Sequence, residues 1–116
     1  MRTLALALAL AGPVFARVNF VRDVKPILEL YCVRCHGPEA AMKNLRLNRR
    51  ERAMLVIVPH KPEESRLYLA AKSGFMPPGE RKLSLAQLEI LRRWIAEGAR
   101  WPKNVELTPK NPFLPH

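Results

Sequence analysis

Cysteine is nearly absent from this chain: its 116 residues include two, Cys32 and Cys35. A structural zinc site draws four ligands, typically from two such pairs. Two thiols and three histidines, one of them His116 in a proline-rich end, make only one such pair. A disulfide between Cys32 and Cys35 would close a very small loop and stabilise little, because the effect grows with loop length. Strand signal is also scarce, which removes the βαβ setting that a thioredoxin-like pair would need. Aromatic residues make up 7 % of the chain and few are interleaved with basic ones, which argues against nucleic-acid binding. No internal repeat is present, so one site is all the chain offers. Long apolar runs are missing too. The only candidate, Leu4 to Ala11, stops at Gly12-Pro13, short of the ~18–20 residues that span a bilayer.

That short run has a different meaning. Arg2, the Leu/Ala stretch and the small-x-small ending Val14-Phe15-Ala16 form a secretory signal pattern over residues 1–16. The expectation is an exported, periplasmic protein with no transmembrane segment after cleavage. Residues 17–101 are expected to form one domain, and residues 102–116, with four prolines, an extended tail.

Acidic residues are scarce relative to basic ones: 10 against 20. Cleavage after Ala16 removes only Arg2 from that count and takes the net charge from +10 to +9. A solvated basic surface explains this without further meaning. Its functional reading is electrostatic steering toward partner proteins with acidic docking surfaces. Arg46, Arg49, Arg50 and Arg52 are the densest basic cluster.

What the chain does have is Cys32-Val33-Arg34-Cys35-His36, a C-x-x-C-H run that reads as covalent haem attachment. Each thiol can form a thioether to a haem vinyl group, and His36 can reach the iron from one face. A domain of this length buries only a modest core, and a flat apolar cofactor would add to it. Helical spacing surrounds the motif. Val24, Ile27, Leu28 and Tyr31 make one face of a helix that has Asp23 as its expected N-cap and Pro26 in its first turn. That helix runs straight into Cys32. A short helix capped by Asn48 is expected over Arg49 to Leu55. Another is expected over Pro62 to Lys72, ended by Ser73-Gly74. Ser84 and Gln87 form a capping box for a helix ending at Gly98, with Leu85, Leu88, Leu91, Trp94 and Ile95 as its apolar stripe.

The sixth iron position decides the chemistry. A second firm ligand suits electron transfer, whereas an open position suits peroxide chemistry or gas binding; Met/His ligation is usual in cytochromes c. The candidates are Met42, Met54, Met76 and His60. Met42 is close to His36 in sequence, and Met54 falls in an expected helix. Met76 opens the stiff Met76-Pro77-Pro78-Gly79 loop, forty residues beyond His36. That length lets the chain pass round a haem edge, so Met76 is preferred, with His60 the alternative.

Asp23-Val24-Lys25-Pro26-Ile27-Leu28, the C-x-x-C-H run with Gly37-Pro38, Leu45-Arg46-Leu47, Val58-Pro59, Met76-Pro77-Pro78 and Trp94-Ile95-Ala96-Glu97-Gly98 together resemble a small class I-type monohaem cytochrome c, and more narrowly the planctomycete-type cytochrome c domain. The resemblance implies an all-α, cytochrome c-like fold of about four to five short helices wrapped around one covalently bound haem c. It implies Cys32 and Cys35 as the thioether carriers, His36 as the proximal iron ligand and Met76 as the distal one. His60 stands where that family more usually has glycine. The expected function is single-electron transfer between redox partner proteins, without catalysis of its own. The alternatives are a haem-containing accessory subunit, or a sensor or peroxidase-like domain with a displaceable sixth ligand.

Overall fold

A computed structural model of the chain describes residues 17–33, 46–77 and 79–110. The expected leader, the stretch carrying Cys35, His36 and Met42, and the end carrying His116 lie outside the described residues. Four α-helices are present among the described residues: α1 Lys25–Tyr31, α2 Arg50–Ala53, α3 Arg66–Ser73 and α4 Leu85–Ala96. No strand occurs among them, so the fold is all-α as expected. No described helix is long and apolar enough to cross a membrane.

α1 starts earlier than its apolar spacing suggests. A π-helical turn, Phe20–Val24, leads into it. Asn19, not Asp23, is the cap: its side chain accepts from the Arg22 amide at 2.8 Å. Asp23 sits inside the turn and returns its carboxylate to the Asn19 amide, also at 2.8 Å. The two side chains thus satisfy orphan amides reciprocally, as in a capping box. Val24, Ile27 and Leu28 are buried on the expected face.

α2 runs into a 3₁₀ turn, Met54–Val56. Asn48 does not cap it; Arg49 holds the cap position without a side-chain bond. Asn48 is buried instead, and its amide nitrogen donates to Glu106 Oε2 at 2.9 Å. The helix expected from Pro62 is split. Pro62–Glu64 is a 3₁₀ turn, Ser65 is extended, and only then does α3 begin. The cause is the Ser65 hydroxyl, which is fully buried. It accepts from the Val58 amide at 2.9 Å and donates to the Lys61 carbonyl at 2.9 Å. Gly74 then closes α3 in the left-handed conformation, φ +83°, which glycine adopts without a Cβ penalty.

α4 carries the expected capping box, with the Gln87 amide donating to Ser84 Oγ and the Ser84 amide to Gln87 Oε1. Its stripe differs at the start. Leu85 is 86 % exposed, because the first helical position faces outward, and the buried part consists of Leu91, Trp94 and Ile95. Trp94 joins Phe20 and Trp101 in an aromatic cluster, with Phe20 centroids 5.5 Å and 4.5 Å from the two indoles. Both indole N–H groups are satisfied, by Arg100 O at 2.8 Å and Val105 O at 2.6 Å.

Two contacts fix how α1 lies on α4. The Val18 amide, ahead of α1, donates to Glu97 at the C-terminal end of α4 at 2.9 Å. Tyr31, at the end of α1, lies under Arg81, which precedes α4. The two helices therefore run in opposite directions, and Cys32 emerges toward the N-terminal end of α4. Residues 102–110 form no regular element but are tied down. The Thr108 amide donates to Glu29 Oε2 at 2.8 Å, the Lys110 amide to the Glu29 carbonyl at 3.1 Å, and Leu107 is buried.

Candidate haem-binding site

Cys32 is the C-cap of α1 and its amide donates to Leu28 O at 2.9 Å. Val33 follows, wholly buried, with its amide on the same Leu28 carbonyl at 2.9 Å. The turn is thus clamped at both its backbone and its side chain, and the half-buried Cys32 thiol is presented from a fixed position. Behind it stands Glu29, which is 3 % exposed. This carboxylate pairs with Lys25 at 3.0 Å and accepts the Thr108 amide, so no charge is left buried without a partner.

Met76 lies half-buried in the loop between α3 and α4. The loop folds back on α3, with the Met76 amide donating to Ala70 O at 3.1 Å. It is also closed on itself, because the Lys82 ammonium donates to the Pro77 carbonyl. Next to Lys82, the Arg81 guanidinium carbon sits 5.9 Å from the centre of the Tyr31 ring, within cation–π range. Contacts therefore run without a break from Met76-Pro77 through Lys82 and Arg81 to Tyr31 and Cys32. Two stretches more than forty residues apart in sequence meet through this contact. Arg81 is the residue that sequence reasoning missed. No pattern within a proline-rich loop signals that a cation there will stack on a tyrosine of the first helix.

His60, the alternative ligand, is placed elsewhere. Its backbone takes φ +72°, a left-handed value that explains why glycine suits this position. Its amide donates to Ile95 O at 2.7 Å, and ring Nδ1 donates to Ala96 O at 3.1 Å. Gly98 packs against the other edge of the ring; a Cβ there would lie 3.1 Å from His60 Cε1. These bonds hold His60 at the C-terminal end of α4. The Cys32 turn faces the opposite end of that helix, about 18 Å away at 1.5 Å per residue. Met54 is half-buried against the core. Cys35, His36 and Met42 lie outside the described residues.

The side chains that are placed fit a covalently held haem in their chemistry. Cys32 offers a thiol for a thioether, and Met76 offers a soft thioether donor of the kind that ligates haem iron. Among the described residues no group of three or more His, Cys, Asp or Glu side chains is arranged to hold a metal ion directly. A cleft of about 500 Å³ exists elsewhere, between α2 and residues 101–106, bordered by Arg49, Arg50, Trp101 and Lys103. It includes neither Cys32 nor Met76.

Residues 32–80 match the family described as Planctomycete cytochrome C. No curated protein and no solved structure matches the chain. The matched stretch opens on Cys32 and takes in the whole Met76-Pro77-Pro78 loop. Such a domain points to haem binding and electron transfer. The all-α fold agrees with it, and the chain contains a cytochrome c-like domain.

Proposed function

We propose that this is an exported, periplasmic monohaem c-type cytochrome that carries single electrons between partner proteins. The observation that carries the reading is the Arg81–Tyr31 contact, which ties the Met76 loop to the turn bearing Cys32. Such an arrangement would let the Cys32 thiol and the Met76 thioether serve opposite sides of one flat cofactor. Cys32 and Cys35 would hold the haem covalently, His36 would be the proximal ligand and Met76 the distal one. One-electron exchange at iron is the chemistry the group supplies when bound.

The chain's own residues do the rest. Val33 and Leu28 fix the turn that presents Cys32. The Lys82–Pro77 and Met76–Ala70 bonds hold the loop so that the Met76 sulfur need not be ordered on ligation. Buried Tyr68 and half-buried Leu88 and Ala71 belong to the apolar core on which α3 and α4 pack. The commitment of His60 to Ile95 and Ala96 supports Met76 as distal ligand. A filled sixth position favours electron carriage over peroxide or gas chemistry. The leader-like residues 1–16 support export, where haem can be attached.

The test is expression with the native leader in a host that attaches haem in its periplasm. The periplasmic fraction should yield a chain beginning at Arg17 with the mass of one haem added and a low-spin spectrum. The reduced protein should not bind carbon monoxide readily. Cytoplasmic retention, absence of covalent haem, or two thioethers surviving in Cys32→Ala would each overturn the corresponding part of the reading.

A further inference from the structure

The positive charge of the chain is unevenly balanced. Of the nine described carboxylates, eight have a basic group within 4 Å, and only Glu80 has none. The acids are thus already paired, and the surplus cations are those without a carboxylate. Arg52, Arg66 and Lys82 belong to this group, and all three are exposed.

These three flank one strip of surface. α3 turns Leu67 and Tyr68 to the core. Its outer side, at helical spacing of three and four, is Arg66, Leu69 and Ser73. Leu69 is 39 % exposed. At the start of the helix the Arg66 guanidinium reaches across to the Leu55 carbonyl at 3.3 Å, which brings in Leu55, itself 61 % exposed. Arg52 stands one turn before Leu55. At the other end of the helix the chain doubles back, with the Phe75 amide on Ser73 Oγ and the Met76 amide on Ala70 O. Phe75 is 70 % exposed there, beside Met76-Pro77 and the Lys82 that holds Pro77. Leu55, Leu69 and Phe75 therefore follow the outer side of α3 from a pair of arginines to the Met76 loop.

From this arrangement we infer that the outer face of α3 is the docking surface for an acidic redox protein, whose carboxylates meet Arg52, Arg66 and Lys82 around an apolar centre. The inference deepens the electron-carrier reading and rests on it for the purpose of docking. Charge complementarity identifies the partner. A second copy would set arginine against arginine across a two-fold axis, which costs rather than stabilises. An anionic bilayer would gain only weak, salt-screened attraction from three cations, too little for stable binding. A partner seated on this strip would touch the Met76 loop and not the Cys32 turn.

The probe is flavodoxin, a soluble acidic one-electron protein. Its hydroquinone reduces the ferric holoprotein in stopped flow, and chemical-shift mapping of the complex reports where it sits. Hexaammineruthenium(II), a small cation that needs no docking face, is the second reductant. Arg52→Glu/Arg66→Glu should slow reduction by flavodoxin about tenfold or more at low ionic strength and leave the ruthenium rate unreduced. Arg100→Glu/Lys103→Glu, of equal charge change on another surface, should have about a twofold effect or less. Leu55→Ser/Leu69→Ser, at exposed positions, should weaken binding without altering the thermal midpoint. Shifts should concentrate at Leu55, Leu69 and Phe75. Shifts on another face, equal effects of the two charge reversals, or preferential binding to phosphatidylglycerol vesicles would overturn the inference. If ruthenium reduces the protein but the α3 variants behave as wild type, the docking surface fails and the electron carrier stands. If no reducible haem is present, the mapped binding still decides the surface while the carrier reading falls.

Discussion

Replacing Ser65 by alanine removes one oxygen from a fully buried site, and the cost can be worked from its bonds. The hydroxyl has one hydrogen and directs it to Lys61 O at 2.9 Å, while the Val58 amide donates to the oxygen at 2.9 Å. The Val58 carbonyl at 3.3 Å is a weaker second acceptor for the same hydrogen. Alanine therefore strips two backbone groups at once. At about 1 kcal/mol net for each bond, the loss is about 2 kcal/mol, and more where the Val58 amide stays dry. For a domain of this size that lowers the thermal midpoint by about 8–16 °C. The assay is thermal and urea unfolding of the holoprotein by far-ultraviolet circular dichroism, with Ser73→Ala as control. Ser73 is exposed and its hydroxyl bonds only to near neighbours, the Ala70 carbonyl and the Phe75 amide, at solvent-facing positions, so its replacement should cost less than about 0.5 kcal/mol. A Ser65→Ala midpoint within roughly 2 °C of wild type would show that this hydroxyl does not hold the Val58–Lys61 turn on α3.

Met76→Ala should lower the reduction potential and let the ferrous protein bind carbon monoxide, whereas His60→Ala should leave the spectrum unchanged and lower the thermal midpoint; absorption spectra and a potential titration separate the two. Gly98→Ala should destabilise by about 1–3 kcal/mol, because φ is +114° there and the new Cβ would press on the His60 ring; urea unfolding measures it. The hydrogen bond from Arg22 holds the Asp23 carboxyl below its ordinary 3.8, at about 2. A depressed folded value stabilises above the unfolded one, so this contribution is complete above about pH 4 and is lost as pH falls toward 2. Asp23→Asn should thus narrow its stability difference from wild type across that window in acid unfolding curves. Glu29→Ala should loosen residues 106–110, read as faster amide exchange at Thr108 and Lys110 and as early proteolytic cleavage after Lys103.

Much of the frame was legible because it rests on local chemistry. The Ser84–Gln87 capping box, the apolar run ending in Trp94 and Ile95, and the helix aimed at Cys32 each follow from spacing within a few residues. The misread elements are those where a distant group decides. Asn48 has the right side chain for a cap, but Glu106, 58 residues away, takes it. Ser65 looks like the interior of a helix begun by Pro62, yet its hydroxyl serves Val58 and Lys61. Leu85 keeps the heptad-like pattern but stands before the helix turns its face inward. At the site, Cys32 and the Met76 loop were visible as motifs. Their meeting through Arg81 and Tyr31 was not, since a cation–π contact leaves no periodic trace.

The Glu29 clasp also bears on the order of assembly. Val18 to Glu97 and Glu29 to Thr108 are each closures of 79 residues, and together they bracket the helix that presents Cys32. Contacts of such separation form late, after the entropy of closing the loop between them has been met. Helix α1 and the Cys32-Val33 turn, by contrast, need only neighbours in sequence. During synthesis, Cys32 is therefore exposed at the end of a nearly formed helix while the chain segment that will clasp that helix has yet to arrive. On the proposed reading, attachment at Cys32 would have its opening in that interval, before the clasp closes.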